Sequence, residues 1–104
     1  MIMGVFVITG IEEEQGEAYF SGSVVKGVIR AGMEAVSDQH MIVVRRLYDE
    51  SSEEMEELKK GITARILVVT QGDWKWAQSL IGQQITFTSD KKETNPLAWQ
   101  VETI

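Results

Sequence analysis

Hydrophobic and polar residues follow one another along this chain in short blocks, and the blocks have the lengths of β-strands. Met3 to Thr9 is an apolar run with VFVIT at its centre. Its β-branched residues predict a strand covered on both faces or set in a barrel wall. IEEEQGE at 11–17 reads as an acidic turn around Gly16, and Ala18 to Val25 as the returning strand of a hairpin. The stretch FSGSVVKGVIRAGMEAV at 20–36 then sets glycines at 22, 27 and 32, with Val24, Ile29 and Met33 between them. That spacing predicts a strand, a tight corner, a short apolar return and a second corner, because glycine accepts positive φ or close backbone approach without steric cost. SDQH at 37–40 is a turn, and Met41 to Tyr48 is the next strand.

Residues 51–60 change character. Ser51 with Glu54 forms a capping-box pattern, acidic residues fill the start, Lys59 and Lys60 fill the end, and Gly61 supplies a stop. Only Met55 and Leu58 are apolar there, so a short surface helix is expected. Ile62 to Thr70 reads as another β-branched strand, and Asp73 to Gly82 as a second short helical turn. Gln84 to Thr88 alternates Ile85 and Phe87 with threonines, the pattern of a half-buried strand. The tail after Ser89 starts polar, holds the single proline, Pro96, and ends in LAWQVETI, which suits an added edge strand. Together these predict an all-β fold: a small closed barrel of about six mostly antiparallel strands with two short helical insertions. The barrel takes residues 1–90 and the tail residues 91–104.

Composition narrows the function classes. A chain of 104 residues is one domain with room for its own core. It has no cysteine, which excludes disulfides, thiolate metal sites and thiol nucleophiles and fits a reducing cytoplasm. Its apolar runs fall far short of the roughly 20 residues that span a bilayer. The opening MIMGVFVITG lacks a positively charged leader region, so a cytoplasmic protein without membrane attachment is expected. A formal charge of −6 opposes nucleic acid as a whole; a local basic patch would have to be made from Arg45, Arg46, Lys59, Lys60 and Arg65.

The blocks also carry a resemblance. VFVITG at 5–10 and the glycine-punctuated stretch at 20–36 resemble the second domain of the translational GTPases, the elongation factor Tu family. That domain shows VF-x-I-x-G followed by T-G-x-V-x-x-G-x-I-x-x-G-x-x-V. The match falls on Val5, Phe6, Ile8, Gly10, Gly22, Val24, Gly27, Ile29, Gly32 and Val36, with Ser21 where the family has threonine. MIVVRRLYDE at 41–50, GITARILVV at 61–69 and SLIGQQITF at 79–87 are similar to three later segments of the same domain, in the same order. The resemblance covers roughly residues 3 to 90 and implies the closed barrel. It does not imply the family's activity. No G-x-x-x-x-G-K-[ST] loop is present, so no nucleotide binding or GTP hydrolysis is expected. The acidic residues with which aminoacyl-tRNA-binding members hold the acyl end fall here on Met3, Gly4 and about Ile42.

The residues themselves offer no catalytic constellation. His40, the single histidine, lies in a turn beside Asp38 with no nucleophile nearby and reads as solvated. Glu12 to Glu14 and the acidic stretch 53–57 lack calcium-loop spacing and read as solvated faces. Trp74 and Trp76, two apart on the second helical insertion, are candidates for binding, one capping the barrel mouth and the other exposed. Trp99 raises the same question in the tail. Arg45 and Arg46 are consecutive on a strand, so one is expected outside, where it can pair with the Glu12–Glu14 turn or a partner, and the other inside or at a barrel end. Phe6 and Ser21 join the candidate binding set through the family pattern. The expectation is a non-enzymatic binding module that needs no cofactor and takes a protein partner, or, second to that, a ribosomal or tRNA component. The alternative is a small acidic inhibitor or immunity-type protein that neutralises a basic partner.

Overall fold

The computed structural model describes residues 2–37, 39–70 and 74–89, with the backbone alone for Trp74. The strands in chain order are β1 (Ile2–Glu14), β2 (Glu17–Arg30), β3 (Glu34–Ser37), β4 (His40–Asp49), β5 (Glu54–Met55), β6 (Glu57–Lys59), β7 (Thr63–Thr70) and β8 (Gln84–Ser89). Six of them close a ring in the order β1, β2, β7, β4, β3, β8 and back to β1, and each of these pairings is antiparallel. The chain therefore forms the expected all-β closed barrel. Its weakest seam joins β3 to β8, which share the single pair Glu34 and Thr88.

Alternation along each strand fills the interior. Phe6 and Ile8 of β1, Phe20 and Val24 of β2, Ile42 and Val44 of β4, Ile66 and Val68 of β7, and Ile85 and Phe87 of β8 are all buried. Six strands enclose a narrow space that these side chains pack solid. So small a ring demands strong coiling, and bulges supply part of it. Thr9 in β1, Val25 in β2 and Arg45 in β4 each stand without an opposite residue in a paired ladder. Glycine supplies the rest. At Gly22 a Cβ would be driven into the Val7 carbonyl oxygen, and Gly27 combines φ of 68° with a similar crowding against Met3. The expected corners at 22 and 27 are thus bends within one continuous strand, where the backbone of β1 presses on β2. The first hairpin is also longer than expected, with its turn confined to Gln15 and Gly16.

Residues 51–60 do not form the expected helix. The Asp49 carboxylate accepts the backbone N–H of Ser51 at 2.8 Å and of Glu53 at 3.0 Å, and Ser52 adopts φ of 65°. This Asx-type turn takes the Ser51 N–H, one of the two that a capping box would claim, and folds β5 back on β4. β6 then pairs with β2 at Val28 to Arg30, and Arg30 fastens Glu57 at 2.7 Å. The segment crosses one mouth of the barrel and buries Leu58 completely. A helix with two apolar residues could have buried little; as a strap, the same residues close the core. Of the two expected helical insertions, the described residues contain one, a 3-10 segment at Trp74–Leu80 that seals the other end with Ala77 and Leu80. The Asp73 cap, the Pro96 and Trp99 tail and its suggested edge strand lie outside the described residues.

Gly22→Ala should therefore cost about 3 kcal/mol or more, because the obstruction is backbone and cannot rotate away. Gly10→Ala, in the same sequence pattern but with open space at its Cβ, should stay within about 0.5 kcal/mol of the parent. Urea unfolding of both variants checks this, and equal losses would contradict the close-approach account.

Candidate functional site

β2, β7 and β4 lie side by side, so their outward residues form rows across three strands. Tyr19, Leu67 and Arg46 make one row, and Ser21, Arg65 and Tyr48 the next. The Arg65 guanidinium sits 4.5 Å from the centroid of the Tyr19 ring, and the Tyr19 and Tyr48 rings are 6.3 Å apart. Arg65 also reaches Glu12 at 3.3 Å and Glu14 at 3.5 Å. Leu67, although it belongs to an outward row, is only 7% exposed between Tyr19 and Arg46. Partial desolvation, followed by the charge of Glu17 and smaller contributions from Tyr48 and Glu14, holds the Tyr19 phenol above its ordinary pKa. A hydrogen bond to Tyr48, reinforced by Glu54 and Glu17, raises Arg46 further above an already high value.

Next to this polar cluster the same face turns apolar. Val43 pairs with Val69 on β7 and Val36 with Met41, so four apolar side chains run across β3, β4 and β7, with Glu34 beside them opposite Val43. Val36 is 68% exposed, Val69 46% and Met41 41%. The other large exposed apolar residues, Met3 and Ile81, belong to β1 and to the turn after the 3-10 segment. Two shallow depressions meet on this strip and share Val69 and Thr70. One, of about 310 Å³, is lined by Met41 and Val43; the other, of about 190 Å³, by Arg45, Leu67, Glu17 and Ala18.

Both arginines of the predicted set point out of the barrel. The bulge at Arg45 advances the alternation by one position, so Val44 and Leu47 face the core with two exposed residues between them. Simple alternation would have sent one inward. Neither arginine takes the acidic hairpin; Arg65 does, which also removes it from any basic patch. Phe6 is fully buried and unavailable to a partner. Ser21 is half-buried, and its carbonyl accepts a hydrogen bond from the Thr9 hydroxyl. Trp76 packs on the core from the 3-10 segment and stacks on His40, with centroids 4.2 Å apart and an angle of 17°. His40 is consequently half-buried rather than solvated, and its Nδ1 and the Trp76 Nε1 are buried without a hydrogen-bond partner among the described residues. Asp38 and the Trp74 side chain lie outside the described residues. The five predicted residues whose side chains are described thus do not converge on one site, whereas the strip beside Arg45 was not anticipated. Its signal was the unbroken apolar run MIVV at 41–44 and the pair Val68–Val69, strands too apolar for a face turned to water.

Among the described residues no three histidine, aspartate or glutamate side chains are placed to hold a metal ion. Among the described residues no helix is long and apolar enough to cross a membrane. No family model matches the sequence, and no curated protein matches it at a significant level.

The raised Tyr19 pKa sets a sign for pH dependence. The folded state holds this proton more tightly, so its contribution to stability is complete below the unfolded tyrosine value and is lost as pH rises through the folded one. Alkaline titration by phenolate absorbance, parent minus Tyr19→Phe, should give a step above the ordinary value of 10.0. A step at or below that value would contradict the burial and charge placed around the ring.

Proposed function

We propose that this chain is a non-enzymatic binding module, a barrel resembling domain 2 of the translational GTPases, that docks a protein partner on the outer face of β3, β4 and β7. The observation that supports the reading best is the grouping of Val36, Met41, Val43 and Val69 on neighbouring strands of an acidic chain. Grouped exposed apolar residues of this kind mark interaction surfaces, whereas single ones are ordinary. The net charge argues for protein over RNA, and with Arg65 matched by Glu12 and Glu14 the exposed arginines Arg45 and Arg46 are too few for a phosphate-binding patch on this face. The same charge, with Glu13 exposed at the hairpin tip beside those two glutamates, supports the second reading, an acidic inhibitor of a basic partner.

The two readings respond differently to one experiment. The full chain and a Val36→Asp/Val69→Asp variant of matched thermal stability are immobilised and exposed to cell extract with and without ribonuclease. A protein retained by the parent, lost from the variant and kept at about 0.5 M salt, where charge–charge contacts are screened, is the expected result. Equal retention by both chains overturns the strip. Retention that is lost in salt and indifferent to the variant transfers the function to the acidic hairpin.

A further inference from the structure

The strip has a charged end, and the charge has no ion-pair partner among the described residues. Arg45 lines the smaller depression with Val69, Leu67 and Thr70, and it forms no ion pair among the described residues. This is unexpected in a chain with 16 acidic and 10 basic residues, where carboxylates are in excess. The other arginines differ. Arg30 holds Glu57, Arg65 holds Glu12 and Glu14, and Arg46 leans on Tyr48 with Glu54 and Glu17 nearby. Arg45 is also the bulged residue of β4, the one position of that ladder free to aim its side chain without an opposite neighbour. Bulges commonly serve to re-aim a side chain at a site. Glu17 stands on the same depression and does not come within ion-pair distance of Arg45.

We infer that the docking face takes a short apolar peptide segment carrying a carboxylate at one end, its side chains lying along Val36, Met41, Val43 and Val69 and its carboxylate on Arg45. The inference rests on the reading of this face as the docking site and adds the chemistry of the partner. From Val36 across Met41 and Val43 to Val69 the strip measures about 12 Å end to end by ordinary strand spacing. That length suits a few apolar side chains of an extended segment. Beyond Val69 the surface passes to the guanidinium, which can accept a carboxylate in a bidentate manner. Glu17 weakens that attraction and gives the site a built-in control.

The test uses the full chain and two labelled peptides of alternating valine and threonine, one ending in a glutamate pair and the other in a lysine pair, read by fluorescence anisotropy. The glutamate peptide should bind about fivefold tighter than the lysine peptide, the scale of a partly exposed ion pair. Arg45→Glu should reverse the order, and Glu17→Gln should tighten the glutamate peptide. Val69→Glu should lose both peptides, with Val69→Ser as a gentler variant if the first does not fold. Equal binding of the two peptides that still depends on Val69 overturns the carboxylate and leaves the docking face standing. Binding of neither, or binding indifferent to Val69, overturns the inference together with its site. Peptide binding that appears only in a Trp99→Ser variant assigns the strip to residues 90–104 of the same chain and overturns a free partner. So does a concentration-dependent dimer that Val69→Glu abolishes, which assigns it to a second copy.

Discussion

Close contact between the backbones of β1 and β2 is the constraint from which the rest of this barrel follows. A ring of six strands has so small a circumference that its longest hairpin must coil across itself, and where it does there is no room for a side chain. Gly22 meets the Val7 carbonyl and Gly4 meets the Val28 carbonyl, one crossing on each strand. Phe6, Phe20 and Phe87 can be completely buried in so small a volume because the walls at these crossings are backbone alone. A methyl group at either position would push the strands apart and open the interior to water along the length of the hairpin.

A ring this tight cannot keep perfect registers, and its irregularities create the outer surface. The extra residue at Arg45 lets β4 bend with its neighbours, and as a by-product it turns two consecutive arginines toward solvent. On one side of that bulge lie the tyrosines, Arg65 and its two glutamates, an ion-paired cluster that covers Leu67. On the other side lie Val43, Val69, Met41 and Val36, with Glu34 at their edge, opposite Val43 and on the same strand as Val36. The candidate site is therefore the boundary between two halves of one face, set by a device that serves closure first.

The barrel was legible because strand signals are local: runs of β-branched residues, alternation in β8, and glycines at fixed offsets. What escaped were features decided by partners far along the chain. Ser51 to Lys60 has sound local credentials for a helix, yet Asp49 organises the turn and the open barrel mouth claims Leu58. Arg45 and Arg46 were expected on opposite sides of the wall, because a bulge is invisible to a period-two pattern until its neighbours are known. Phe6 was drawn into the binding set by its place in a family pattern, although its burial serves the core alone. The apolar strip was written in the sequence as strands without polar positions. A strand covered on both faces and one with an uncovered face look identical until topology shows which face is left outside.

Charge decides what such a strip can receive. The molecule as a whole is negative by 6, so a strongly acidic domain would be repelled at every distance beyond the depression itself. Screening confines charge effects to about 8 Å at physiological salt, and within that radius of the strip the exposed arginines of β4 face the carboxylate of Glu17. Glu34, opposite Val43, adds a second carboxylate, so the local charges roughly balance while the distant field is negative. A partner that satisfies both must bring little net charge and place one carboxylate where the apolar contact ends. Affinity would then come from the valines and methionine, and orientation from a single arginine, the usual division of labour between apolar burial and charge at an interface.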